Sequence, residues 1–212
     1  MPRSISTSRQ PHKFFNRTLT NDLDLLASEL QERYNKIQNA EIPGVSPLNS
    51  NELWKESNSV STMKWKEYNV FQFHSYGIRN LFDAVSSMVH EACEYYEIDF
   101  YAQQFMMQGW FNINHAHNGK LDWHEHGPNG APNFHGYYAV NAEPSQTHYI
   151  TNVGEKVNEN KNNVAILSEM GHPHAMGDWD WEGSRITIAY DVIPLRDLLN
   201  NTAQEQHWIP LN

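Results

Sequence analysis

The sequence predicts a mostly β protein of the sandwich or jelly-roll type, with two amphipathic helices ahead of the β region covering one sheet. Three observations carry this. Apolar residues recur at helical spacing over residues 21–38 and again over 78–96. After Ile98 that period gives way to short alternating runs separated by turn residues. The chain has 212 residues, enough for one well-cored domain with an extension and cramped for two.

Residues 1–17 read as a polar arm, 18–98 as a helical support region, 99–194 as the β core and 195–212 as a tail. In the first helix Leu23, Leu26, Leu30, Tyr34 and Ile37 form the apolar stripe, with Thr20 or Asn21 as N-cap. Residues 40–62 carry Pro43, Gly44, Pro47 and many Ser and Asn, the composition of a loop. A short strand is expected over 69–73. The second helix gathers Ile78, Leu81, Phe82, Val85, Met88, Val89 and Ala92 on one side. Strands are expected near 104–116, 121–126, 135–141, 147–151, 164–168, 173–176 and 185–193. Asn118-Gly119 has the composition of a two-residue hairpin turn, which would set His115 opposite Asp122 and His117 opposite Lys120. Leu195–Leu199 reads as a short helix.

Composition narrows the function classes. A formal net charge of -10 argues against general nucleic-acid binding, which relies on Lys and Arg neutralising phosphates. No run of about 18 apolar residues appears, so no membrane-spanning helix is expected. The N-terminus has no apolar core of a secretory signal, although its composition leaves a transit peptide open. The single cysteine, Cys93, has no internal disulfide partner and suits a reducing, cytoplasmic setting. The mean hydropathy of -0.70 is low for a packed protein, and seven Trp and ten Tyr compensate through the area each ring buries.

The unusual feature is histidine: of twelve, eight lie between His115 and His174. In Asp122-Trp123-His124-Glu125-His126, strand alternation turns both imidazoles to one face and Glu125 to the other. That is the arrangement of two adjacent ligands on one metal, and Gly171-His172-Pro173-His174 is the best source of a third. The competing reading is of surface or hydrogen-bonded core histidines, since a lone H-x-H is common. His115 and His117 are nearer an exposed turn, and His135 and His148 have no partner pattern and read as structural. Downstream, Arg185-Ile186-Thr187-Ile188-Ala189-Tyr190-Asp191 alternates a polar with an apolar face. An inward arginine costs several kcal/mol to bury unpaired unless an anionic ligand fills the site. Its planar fork suits a carboxylate, to which Thr187 adds a hydroxyl. An outward Arg185 on an edge strand is the alternative. Trp123, Trp179 and Trp181 read as core, with a substrate mouth as the other option.

These residues together resemble the 2-oxoglutarate- and Fe(II)-dependent oxygenases. The sparse pattern W-x-N, H-x-H, G-x-Y-Y, then H and R-I-S/T-I is matched by Trp110-Phe111-Asn112, His124-Glu125-His126, Gly136-Tyr137-Tyr138, His174 and Arg185-Ile186-Thr187-Ile188, over about residues 104–193. Bacteriophages also carry members of this kind. The resemblance implies a double-stranded β-helix, a jelly-roll or cupin-like barrel, with the metal at one mouth. It implies His124, His126 and His174 as metal ligands, with His172 the other option for the last. It implies Arg185, Thr187, Tyr138 and Asn112 as the residues holding 2-oxoglutarate. The implied reaction couples oxidative decarboxylation of 2-oxoglutarate by O2, giving succinate and carbon dioxide, to hydroxylation of a small-molecule or peptide side-chain substrate. One departure stands out: most of the superfamily has a carboxylate where this chain has His126. A third neutral imidazole suits Zn or Cu as well as Fe(II).

Three other readings remain. A cupin-like metalloprotein that does not use 2-oxoglutarate normally places a glutamate a few residues after H-x-H, and residues 127–135 contain no acid. A zinc hydrolase needs a general base, for which only Glu125 or Asp122 offers. A non-enzymatic jelly-roll binding or structural protein predicts an Arg185 that faces solvent. Oligomeric state is not legible in the sequence.

Overall fold

The computed structural model describes residues 10–38, 59–65, 68–115, 121–179, 182–200 and 207–212. Two antiparallel sheets dominate. The elements run β1 (Phe15–Thr18), α1 (Leu23–Gln38), β2 (Ser59–Ser61), α2 (Tyr76–Tyr95), β3 (Phe105–His115), β4 (Leu121–His124), β5 (Phe134–Asn141), β6 (Gln146–Thr151), β7 (Gly154–Glu159), β8 (Val164–Glu169), β9 (His174–Met176), β10 (Ser184–Pro194), α3 (Leu195–Leu199) and β11 (Ile209–Pro210). The larger sheet has the order β1-β8-β5-β10-β3-β11, with β2 also on β3, and the smaller has the order β4-β9-β6-β7.

Both helices form where the 3.6-residue period predicts them, and both pack on the larger sheet. Leu26, Leu30 and Ile37 of α1 and Ile78, Leu81, Val85, Met88 and Val89 of α2 share one core with Phe111, Phe134, Tyr138, Leu167, Ile188, Tyr190 and Val192 of the strands. The N-cap of α1 is neither Thr20 nor Asn21: the Asp22 carboxylate accepts the backbone N–H of Leu25, while Asn21 is buried and donates to the Tyr138 hydroxyl and the Gly77 carbonyl. Gly136 is demanded by this packing. A Cβ there would collide with the Ile166 carbonyl and with the Tyr190 ring, 2.5 Å away.

Four expectations change. Residues 69–73 hold a 3-10 turn (Val70–Gln72) instead of a strand, because the Asn69 side chain caps it by accepting the Phe71 N–H. The polar arm ends in β1, an edge strand on β8 with Phe15 in the core. The Asn118-Gly119 turn lies outside the described residues, but β3 and β4 belong to different sheets and His115 pairs with Ser184, not Asp122. A local turn signal cannot report that crossing. β7 was not expected, since its solvent-facing Gly154–Glu159 has no buried face to mark it.

Among the described residues no helix is long and apolar enough to cross a membrane. Most of the predicted loop 40–62 lies outside them.

Candidate metal centre

The space between the sheets holds a different chemistry from the helix side. Its apolar part is small: Trp110, Tyr137, Tyr149, Ile166 and Ala189. At one end stand four imidazoles. His124 and His174 are direct cross-strand partners on β4 and β9, with ring centroids 4.3 Å apart. His126, two residues along, brings its ring to 5.2 Å from His124 and 5.1 Å from His174. One ring nitrogen from each of the three lies within 4.8 Å of the others, close enough for one ion to reach all three.

The fourth ring is His135, which the sequence reading left as structural. It is stacked 4.0 Å from His126 and 4.7 Å from His174. The register of β5 and β10 sets it beside Asp191, and His135 Nδ1 lies 2.7 Å from Asp191 Oδ1. His126 Nδ1 lies 3.2 Å from the other oxygen, Oδ2. The sequence alone gives neither His135 nor Asp191 a part in a metal site. The available signal was parity: Asp191 is six residues from Arg185 on the same strand face, and His135 is two from Tyr137.

Hydrogen bonds orient these rings. His174 Nδ1 faces the His172 carbonyl at 3.1 Å, so Nδ1–H donates there and Nε2 is left as the lone-pair nitrogen. His172 itself is turned away, its Nε2 3.1 Å from Glu169 Oε1 and its ring 4.4 Å from that of His12. Of the two histidines in that segment, His174 therefore stands in the cluster. Burial, reinforced by the neighbouring imidazoles of His135, His126 and His124, lowers the His174 pKa well below 6.5. Burial and then His126 lower His135 to about 4, against the opposing pull of Asp191. Both rings are neutral at pH 7, the form that ligates metal. Burial pushes the Asp191 carboxyl up, but His126 and His135 outweigh it and hold it below the usual carboxylate range.

At the opposite end of the same strand face lies Arg185, 5% exposed. Its Nε donates to Ser145 Oγ at 2.9 Å. Asn160 also donates to that hydroxyl, and the Tyr137 hydroxyl donates to Asn160 Oδ1. Among the described residues no carboxylate pairs with Arg185, and burial pulls it only to about 10, so it is a cation at neutral pH. Thr187 is buried on the same face, directly across β3 from Asn112. Tyr149 joins the two ends, stacking on His174 at 5.3 Å and interacting electrostatically with Arg185.

Tyr138 is a correction. Its ring is in the helix-side core, and its hydroxyl contacts Asn21 and Asn163. Strand parity puts Tyr137, one residue earlier, on the face with Arg185. Of the tryptophans, Trp179 is buried, Trp123 is 38% exposed, and Trp181 lies outside the described residues. His117 lies outside them too, and His148 stands apart, 3.6 Å from Glu155.

No family model and no curated protein matches this chain. Solved structures do. The non-heme alpha-ketoglutarate-dependent carbocyclase SnoK from nogalamycin biosynthesis is 7% identical with a TM-score of 0.57, covering 86% of this chain and 79% of its own. A Pseudomonas putida prolyl-4-hydroxylase is 11% identical with a TM-score of 0.56, covering 85% and 92%. HygX from Streptomyces hygroscopicus, solved with nickel, 2-oxoglutarate and hygromycin B, is 9% identical with a TM-score of 0.50, covering 87% and 84%. At such identities the likeness shows the fold alone.

Proposed function

We propose that this protein is a non-haem, metal-dependent oxygenase that couples decarboxylation of 2-oxoglutarate to oxidation of a small molecule or peptide side chain. The observation that carries the reading is Arg185. A guanidinium buried without an acid partner among the described residues is costly. The cost is offset when an anionic ligand enters, and the imidazole cluster lies on the same inter-sheet face. The proposed architecture is a double-stranded β-helix: from β3 to β10 the chain changes sheet at every step except the β6–β7 hairpin, which stays in the smaller sheet.

In this reading His124, His126 and His174 hold a divalent metal through neutral nitrogens, and their donor set fits one. Fe(II) is the proposed ion, and it supplies O2 chemistry when bound with 2-oxoglutarate. Arg185 takes the distal carboxylate of 2-oxoglutarate through its paired N–H donors. Ser145 holds the guanidinium from behind, and Thr187 and Asn112 flank the carboxylate's place on adjoining strands. Tyr137, not Tyr138, is the tyrosine of this pocket. The apolar walls of Trp110, Tyr149 and Ile166 exclude water.

The test is direct. Purified protein with Fe(II) and ascorbate is expected to convert 2-oxoglutarate to succinate, slowly even without a substrate. No succinate, together with 2-oxoglutarate binding that Arg185→Ala leaves unchanged, would sink the reading. Metal content before and after His124→Ala checks the ligands separately.

A further inference from the structure

Asp191 is a buried carboxylate whose two oxygens are each taken by a different imidazole, His135 Nδ1 at 2.7 Å and His126 Nδ1 at 3.2 Å. No Lys or Arg pairs with it among the described residues; its partners there are these two imidazoles. Isolated buried anions are expensive, and this one is retained in the middle of a sheet. His126, the ring it braces, is one of the three that could hold an ion, and it also belongs to a second group whose ligand atoms lie within 4.8 Å of one another, His126, His135 and Asp191 itself.

We infer that Asp191 is the positioning residue of the metal centre: it fixes the Nδ1–H form of His126, so that Nε2 faces the ion, and supplies the negative charge from one bond further out. The inference rests on the proposed function. The chain of contacts is carboxylate, then imidazole, then metal, an order in which the carboxylate orients the ring and raises its basicity. The second oxygen does the same for His135, whose stacked ring holds His126 in plane 4.0 Å away. Trp110 lies beside both rings, its centroid 5.5 Å from His126 and 6.4 Å from His135. His126 is thereby held on one edge by a hydrogen bond and packed against parallel rings.

The geometry also accounts for the H-x-H pattern. With histidine in place of a carboxylate ligand, three neutral nitrogens would leave a divalent ion with its full charge. Asp191 returns one negative charge to the site without occupying a coordination position.

The experiment uses the full chain with Mn(II) and, for spectroscopy, Cu(II). Asp191→Asn keeps the shape but presents an amide N–H to one of the two Nδ1–H groups. It is expected to weaken Mn(II) binding about 10- to 100-fold by calorimetry. Pulsed EPR of the Cu(II) protein reads the quadrupole coupling of the remote, non-ligating imidazole nitrogens, which depends on what those nitrogens hydrogen-bond. One of the three remote nitrogens is expected to shift in Asp191→Asn, with the circular dichroism unchanged. His135→Phe, which keeps a ring in the stack, is expected to leave that shift absent and to cost less affinity. Unchanged affinity and unchanged coupling in Asp191→Asn would overturn the inference while leaving the proposed function standing. An Asp191 oxygen bonded to Mn(II) in a crystal would overturn it as well. Wild-type protein that binds no metal through imidazole overturns both.

Discussion

Strand β10 has two faces that obey opposite rules. Ile186, Ile188, Tyr190 and Val192 enter the hydrophobic core under the helices. Arg185, Thr187 and Asp191 point the other way and are as deeply buried, yet each is polar or charged. One face contributes stability through burial, at roughly 25 cal/mol per Å². The other carries desolvated charge that costs free energy until something binds. The difference teaches where to look for function in such a sheet: among the buried residues that burial alone does not reward.

The contrast is broken most sharply at Arg185. Arg185→Leu is expected to cost about 2–5 kcal/mol of 2-oxoglutarate affinity, read by calorimetry, since it removes the charged partner of a buried pair. In the ligand-free protein the same change should raise the melting temperature, because an unpaired buried cation is gone. A lowered melting temperature with intact binding would place Arg185 on the stabilising side of the comparison.

Ile188→Ala, on the opposite face, should behave in the reverse sense. A loss of about 2–5 kcal/mol in stability is expected from the cavity, measured by urea denaturation, with metal stoichiometry unaltered.

Acid should act on the polar face first. His135 titrates at about 4 in the fold against 6.5 when free, so the unfolded chain takes up protons that the fold refuses. Its neutral, buried form is fully tolerated above 6.5, and stability is lost as pH falls from 6.5 to 4, flattening below. His12, lowered to about 3 by burial and by His172 and Lys156, extends the decline. Metal-free protein should therefore melt progressively lower from pH 7 to pH 4; a flat profile would mean these rings are charged in the fold.

The smallest effect sharpens the tyrosine assignment. Tyr138→Phe removes hydroxyl contacts to Asn21 and Asn163 and should cost about 1 kcal/mol of stability without touching 2-oxoglutarate binding. Tyr137→Phe releases Asn160, which helps hold Ser145 behind Arg185, and should weaken that binding.

Periodicity made much of this legible. The two helices, seven of the strands and Leu195–Leu199 follow from patterns of apolar residues, and H-x-H parity already turned His124 and His126 to one side. Residues defined by pairing between distant segments were not legible. His135 meets Asp191 across 56 positions of chain, through the register of β5 with β10, and no local pattern encodes that register. The short edges β1, β2 and β11 are too brief to show a period. Tyr138 was misassigned because a motif names a pair of residues, whereas only parity within the actual strand says which one faces inward.

The strand orders have a consequence for how the protein comes into being. β9 lies between β4 and β6, and β10 lies between β5 and β3, so two of the last strands to leave the ribosome occupy central places in sheets begun far earlier. The strands that border them, β3, β4, β5 and β6, must each wait with an open edge for a partner made seconds later, at the usual pace of synthesis. His124 meets its neighbour His174 only when that gap is filled. If the proposed centre binds metal, capture would report that this gap is filled: a nascent protein stalled before residue 174 holds two of the three proposed ligands and lacks the third.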